Sequence, residues 1–220
     1  MLNYQKGVDH FDANQDYLRT VDAGKYASIV ESIYGPSKAQ QLQYRSYFAT
    51  KAVGAATSFR DLFKSDDSIA TLSTSKMTNV ANAKLEADKV FCLTHIQLLF
   101  GNNATLNATA FGRLSDAILD GTFEMKQNDR PIVPQSSCRM FDNIEQYSEV
   151  ATGDTNAAAG TAVTYTMNKV QAGAGIFELP KPKFLFPQQS ISVVLDFCVT
   201  TASNDNIKII LHGVENVNNM

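Results

Sequence analysis

Ser190-Ile-Ser-Val-Val-Leu-Asp-Phe197 and, after a short polar turn, Ile207-Lys-Ile-Ile-Leu-His-Gly213 carry the pattern that decides the fold. Ile191, Val193, Leu195 and Phe197 share one phase of a two-residue period, and Ile207, Ile209 and Leu211 share one phase of the next run. That period sends alternate side chains to opposite faces, the signature of strands with one face on a core. Working back along the chain, further runs of the same kind are punctuated by Gly, Asn, Asp, Pro and Ser. VFCLTHIQLLFG (90–101) closes on Gly-Asn-Asn, and ATLNATAFG (104–112) alternates Leu106, Ala108 and Ala110. AILDGTFEMKQ holds Asp120-Gly121 as a turn or bulge ahead of Phe123 and Met125. RPIVPQ reads as a sheet edge or loop, because Pro cannot donate to a ladder. AVTYTMNKV and GIFELPKPKFLF follow the loop ATGDTNAAAGTA (151–162). About eight strands at this spacing predict a mainly β protein, an antiparallel jelly-roll-like sandwich. Phe91, Leu93, Phe123, Val193, Leu195, Phe197, Ile209 and Leu211 are its expected core.

The first 60 residues read differently. Tyr26, Ile29, Val30 and Ile33 fall at i, i+3, i+4 and i+7, one face of a helix that Gly35-Pro36 ends. SKAQQLQYRSYFATKAVGAA, opening at the candidate cap Ser37, predicts a second helix with Leu42, Tyr44, Tyr47 and Phe48 as a stripe. The division expected is therefore a helical N-terminal arm over 1–60 and a jelly-roll-like β domain over 61–220. Isolated helices of this length need a partner surface. A neighbouring subunit would supply it, with Tyr26, Val30, Tyr44, Tyr47 and Phe48 as the subunit-interface residues.

Composition narrows the function. A formal net charge of −3 argues against a protein whose main work is coating nucleic acid, since phosphate neutralisation takes a surplus of Lys and Arg. Cys92, Cys138 and Cys198 are scattered and odd in number. Cys92 and Cys198 lie in apolar runs, so buried free thiols are expected. The leading segment MLNYQKGVDHFDANQDY has no charged-then-apolar signal pattern, and folding in a reducing cytosol is the expectation.

The residues that usually carry chemistry do not converge. His10, His95 and His212 form no H-x-H or H-E-x-x-H, so no metal-ligand spacing is present and His95 reads as structural. There is no G-x-S-x-G, and the glycines at 153, 160, 173 and 175 are dispersed instead of forming a phosphate loop. Asp116 and Asp120 sit in turn chemistry. The chain is expected to be no enzyme and to take no cofactor, no metal and no small-molecule substrate.

Glu178-Leu-Pro-Lys-Pro-Lys-Phe-Leu-Phe-Pro187 runs into the two alternating strands quoted first. This ending, with LSDAILDGTFEMKQNDRPIVPQ as a kinked strand and a Pro-bounded crossover, resembles the jelly-roll capsid proteins of tailless icosahedral bacteriophages. The resemblance covers roughly residues 90–214 and rests on pattern. It implies a structural virion protein, a self-assembling capsid subunit made in the host cytoplasm. Its partners would be copies of itself and other capsid proteins, with genome or lipid on the inner side. Members from membrane-containing phages resemble a tandem of two jelly rolls. Here there are strands for one, so a single-jelly-roll subunit or a vertex protein is implied. The competing reading is a β-sandwich binding module that recognises a receptor or glycan. The lack of Trp weighs against it, because glycan sites favour aromatic platforms.

Overall fold

The computed structural model describes residues 4–14, 17–18, 42–53, 55–60, 63, 78–80, 83–87, 89–104, 109, 111–112, 114–142, 146–153, 163–170 and 175–216. In chain order these form helix α1 (Gln5–Ala13) and strands β1 (Leu42–Ala52), β2 (Ser58–Arg60) and β3 (Phe91–Asn102). The one-turn helix α2 (Asp116–Leu119) leads into β4 (Thr122–Gln127) and β5 (Arg130–Ser137), and a 3-10 turn (Cys138–Phe141) ends that hairpin. The chain continues through β6 (Gln146–Gly153), β7 (Val163–Val170), β8 (Ile176–Leu185), β9 (Ile191–Asp196) and β10 (Asp205–Asn216).

The strands make two four-stranded antiparallel sheets, ordered β1-β10-β3-β8 and β2-β9-β4-β5, and a separate ribbon β6-β7. Setting the ribbon aside, the first strand pairs with the last, the second with the next to last, the third with β8, and β4 with β5. Both sheets contribute to one hydrophobic core, in which every residue of the expected set is buried.

Burial along the strands follows from what covers each face. β4 and β9 alternate strictly, since one side meets the core and the other meets water. The central strands β3 and β10 are buried almost throughout, because α1 lies on the outer side of their sheet. β5 and β8 are sheet edges, and each carries two prolines, Pro131 and Pro134 or Pro180 and Pro182. Residues without an N–H blunt an edge against pairing with another chain. Between β4 and β5, Asn128 and Asp129 both take positive φ (45° and 63°), as a two-residue hairpin turn of type I′ requires.

Residues 42–52, read from sequence as part of a second helix, are instead strand β1. Its whole length pairs with β10, from Leu42 opposite Asn216 to Ala52 opposite Asn206. Helix propensity is a weak prior, and a full ladder to a central strand outweighs it. With β2 also in a sheet, the sandwich takes in chain that the sequence reading gave to the arm. The other expected helix, with Tyr26 and Val30, lies outside the described residues.

Candidate functional site

The outer face of the β1-β10-β3-β8 sheet carries Tyr44, Phe48, Cys92, His95 and His212 of the residues singled out by sequence, and helix α1 sits on it. The helix is short and weakly apolar. Its C-terminal end is capped by Asn14, whose side-chain amide donates to the His10 carbonyl at 2.7 Å. What seats it is a close approach at Gly7. A Cβ there would stand 2.8 Å from Val214 Cγ2 and 3.1 Å from Thr94 Cγ2, so only glycine lets the helix lie against the sheet undisturbed. One turn on, Phe11 is fully buried and meets Phe184 edge to face, with centroids 5.0 Å apart. Leu18, Val90, Cys92 and Val214 complete this second apolar cluster. The described start of the arm therefore packs on its own sheet, where the sequence reading had it reaching for neighbours. Replacing Gly7 by Val is expected to lower stability by about 1–3 kcal/mol through overpacking, measured by chemical denaturation.

Of the interface residues expected from sequence, Tyr47 is corrected. It is buried in the chain's own core, packs edge-on against Phe91, and donates its hydroxyl to Glu215 Oε2. Burial and that hydrogen bond to a carboxylate raise its pKa. Strand geometry explains the change: Tyr47 and Phe48 are adjacent, so β1 sends them to opposite faces. Phe48 is half-buried on the outer face, beneath the Lys208 ammonium 5.2 Å from its ring centroid. Tyr44 stacks on Tyr4 of the helix entry at 4.6 Å and remains 62% exposed.

Beside these aromatics lies a polar seam that sequence spacing could not disclose. His95 of β3 and His212 of β10 stand directly opposite each other, and both are buried. A bulge at Thr94 sets this register. The Thr94 hydroxyl donates to the His212 carbonyl at 3.0 Å and so accepts from His95 Nδ1 at 2.8 Å. That leaves His95 Nε2 facing the Glu178 carboxylate at 4.0 Å, and Lys6 of α1 also pairs with Glu178. His212 Nε2 lies 3.2 Å from Gln97 Oε1, an acceptor, so the ring carries its proton there. Its Nδ1 accepts from Ser46 Oγ at 2.9 Å, with the Tyr4 hydroxyl at 3.5 Å. Burial, and then the neighbouring His95, push the His212 pKa down to about 4. His95 is also lowered by burial, partly opposed by Glu178.

The thiols divide. Cys92 and Cys138 are buried, and burial raises both to about 12. Cys198, expected inside, is exposed. β9 ends at Asp196, and the thiol donates to the Asp120 carbonyl at 2.8 Å. Among the described residues no group of three His, Cys, Asp or Glu side chains could hold a metal ion, and no helix is long and apolar enough to cross a membrane. An open cleft of about 390 Å³ lies at one end of the sandwich, bordered by Tyr47, Asn79, Val80, Lys84, Leu85 and Gln188. The Tyr47 hydroxyl beside it is already committed to Glu215. Comparison with protein-family models, with curated proteins and with solved structures finds no match.

Proposed function

We propose that this chain is a jelly-roll structural protein of a virion, a self-assembling capsid subunit of a tailless icosahedral bacteriophage. The observation that supports the jelly-roll part of this reading is the strand pairing. Eight strands joined first to last, second to next to last, and inward to the β4-β5 hairpin describe one long antiparallel ribbon. Folding that ribbon over gives the orders β1-β10-β3-β8 and β2-β9-β4-β5, which is how a two-sheet jelly roll is built. The β6-β7 ribbon is then an excursion between β5 and β8, outside both sheets. Fold alone assigns no activity, so the functional step rests on the C-terminal pattern that resembles phage capsid proteins. Two features suit a subunit held among copies of itself. Its edges at β5 and β8 are blunted by proline against uncontrolled strand addition, and Tyr44 leaves an aromatic ring on an outer face. Partners are copies of this chain and other capsid proteins, and the location is the virion.

Light scattering on the purified protein after size exclusion tests this. The expected mass is that of a large closed assembly. A monomer or trimer that binds glycans in an array would instead support the binding-module reading.

A further inference from the structure

We propose that the His95–His212 pair is an acid-sensitive latch that keeps helix α1 seated on its own sheet and lets it go when the pair is protonated. This inference does not depend on the capsid reading. The geometry supplies every part. The two imidazoles face each other across β3 and β10, beneath Tyr4, the residue that caps the start of α1. His212 Nδ1 accepts from the Ser46 hydroxyl at 2.9 Å, and the Tyr4 hydroxyl, itself hydrogen-bonded with Ser46, closes over that contact at 3.5 Å. A second proton at Nδ1 makes the Ser46 hydroxyl rotate from donor to acceptor and places a positive charge under the Tyr4 ring edge, out of reach of water. Tyr4 is the hydroxyl that belongs to the helix. Among the described residues the charged and titratable groups around the pair are Tyr4 and Lys6 from the α1 side, Tyr44 from β1, and Glu178 from β8. Among these only Glu178 is an anion, and it is shared with Lys6, whose hydrogen bond keeps it ionised into the acid range. Its reach is to His95, so among the described residues no carboxylate stands at His212 to receive a positive charge.

The sign follows from which state binds the proton. His212 has a pKa of about 4 when seated, against the ordinary 6.5. The state with α1 lifted, where water gains access to the ring, therefore binds the proton more tightly, by at most about 300-fold. Seating is fully stable above pH 6.5, weakens as pH falls from 6.5 to about 4, and changes no further below that. At pH 4.5 the bias from His212 alone is at most roughly 75-fold, and His95 adds to it in the same direction. His10 on α1, stacked on Phe184 and lowered by burial and by Lys181 and Lys183, is the other group that titrates here. A variant that keeps it separates its share. Lifting the helix uncovers Cys92, Val214 and Phe184, an apolar strip with the Gly7 footprint at its centre.

Amide hydrogen exchange on the full chain at pH 7.5 and 4.5, corrected for intrinsic rates, reads the latch directly. The expected result is a loss of protection of tens-fold in residues 7–13 at pH 4.5, with β4 and β9 amides still protected. The double variant His95→Gln, His212→Gln, which retains His10, should show less than a threefold change. Three results would overturn the proposal: α1 protection that does not respond to pH, loss that occurs in step with β4 and β9, or a double variant as pH-dependent as the parent. Should the double variant fail to fold, imidazole titration by NMR on the unaltered chain decides. His212 titrating near 4 supports the latch, and titration near 6.5 overturns it.

Discussion

Replacing Leu195 by Ala is expected to lower the unfolding free energy by about 2–5 kcal/mol, read from the midpoint of a denaturant titration. Leu195 sits in β9 between β2 and β4, opposite Phe59 and Phe123, and is fully buried in the core shared by both sheets. Truncation removes the transfer free energy of the side chain and leaves a cavity. The surroundings can close that cavity only in part, because three paired strands fix the backbone around it. The loss is a large share of the 5–15 kcal/mol typical of a domain, so reduced soluble yield should accompany it. A shift no larger than that of an exposed substitution would mean that the two sheets do not meet at β9.

Gly213→Ala is expected to be as damaging although it adds one methyl group. The register between β10 and β3 shifts between His212 and Gly213. At that point an added Cβ would lie 2.1 Å from the Cys92 carbonyl oxygen and 2.7 Å from the Phe91 ring. The nearer atom belongs to the backbone, so no rotamer change relieves the contact and the two central strands must separate. Overpacking of this kind costs about 3 kcal/mol, the upper end for added methylenes. It should also disturb the His95–His212 register beside it, so loss of α1 protection at neutral pH is expected together with the lowered midpoint.

These two positions mark what the sequence disclosed and what it withheld. Leu195 belongs to a run with a period of two, and such a run states its own strand and its own buried face. For that reason β9, β10 and β4 could be read directly, along with the proline-marked edge at β5. β1 could not. Tyr47 and Phe48 are neighbours, one for the core and one for the outer face. Leu42, Tyr44, Tyr47 and Phe48 therefore read as a helical stripe until the ladder to β10 is known. α1 lies inside the arm read as helical, but its own bounds went unread because one buried aromatic, Phe11, and one buried glycine seat it, too little to make a periodic face. An isolated glycine in a polar stretch was the available signal, since such a residue often marks a close packing contact. The histidine pair is a matter of register between strands more than a hundred residues apart, and the bulge at Thr94 sets it. Single-sequence periodicity carries no information on either.

Electron microscopy of the purified protein is the direct test of the proposal that copies of this chain build a shell. Closed particles of uniform diameter, with capsomers formed by this chain, are the result predicted. Dispersed single or trimeric molecules at every concentration and salt condition, with the sandwich still folded by circular dichroism, would contradict it.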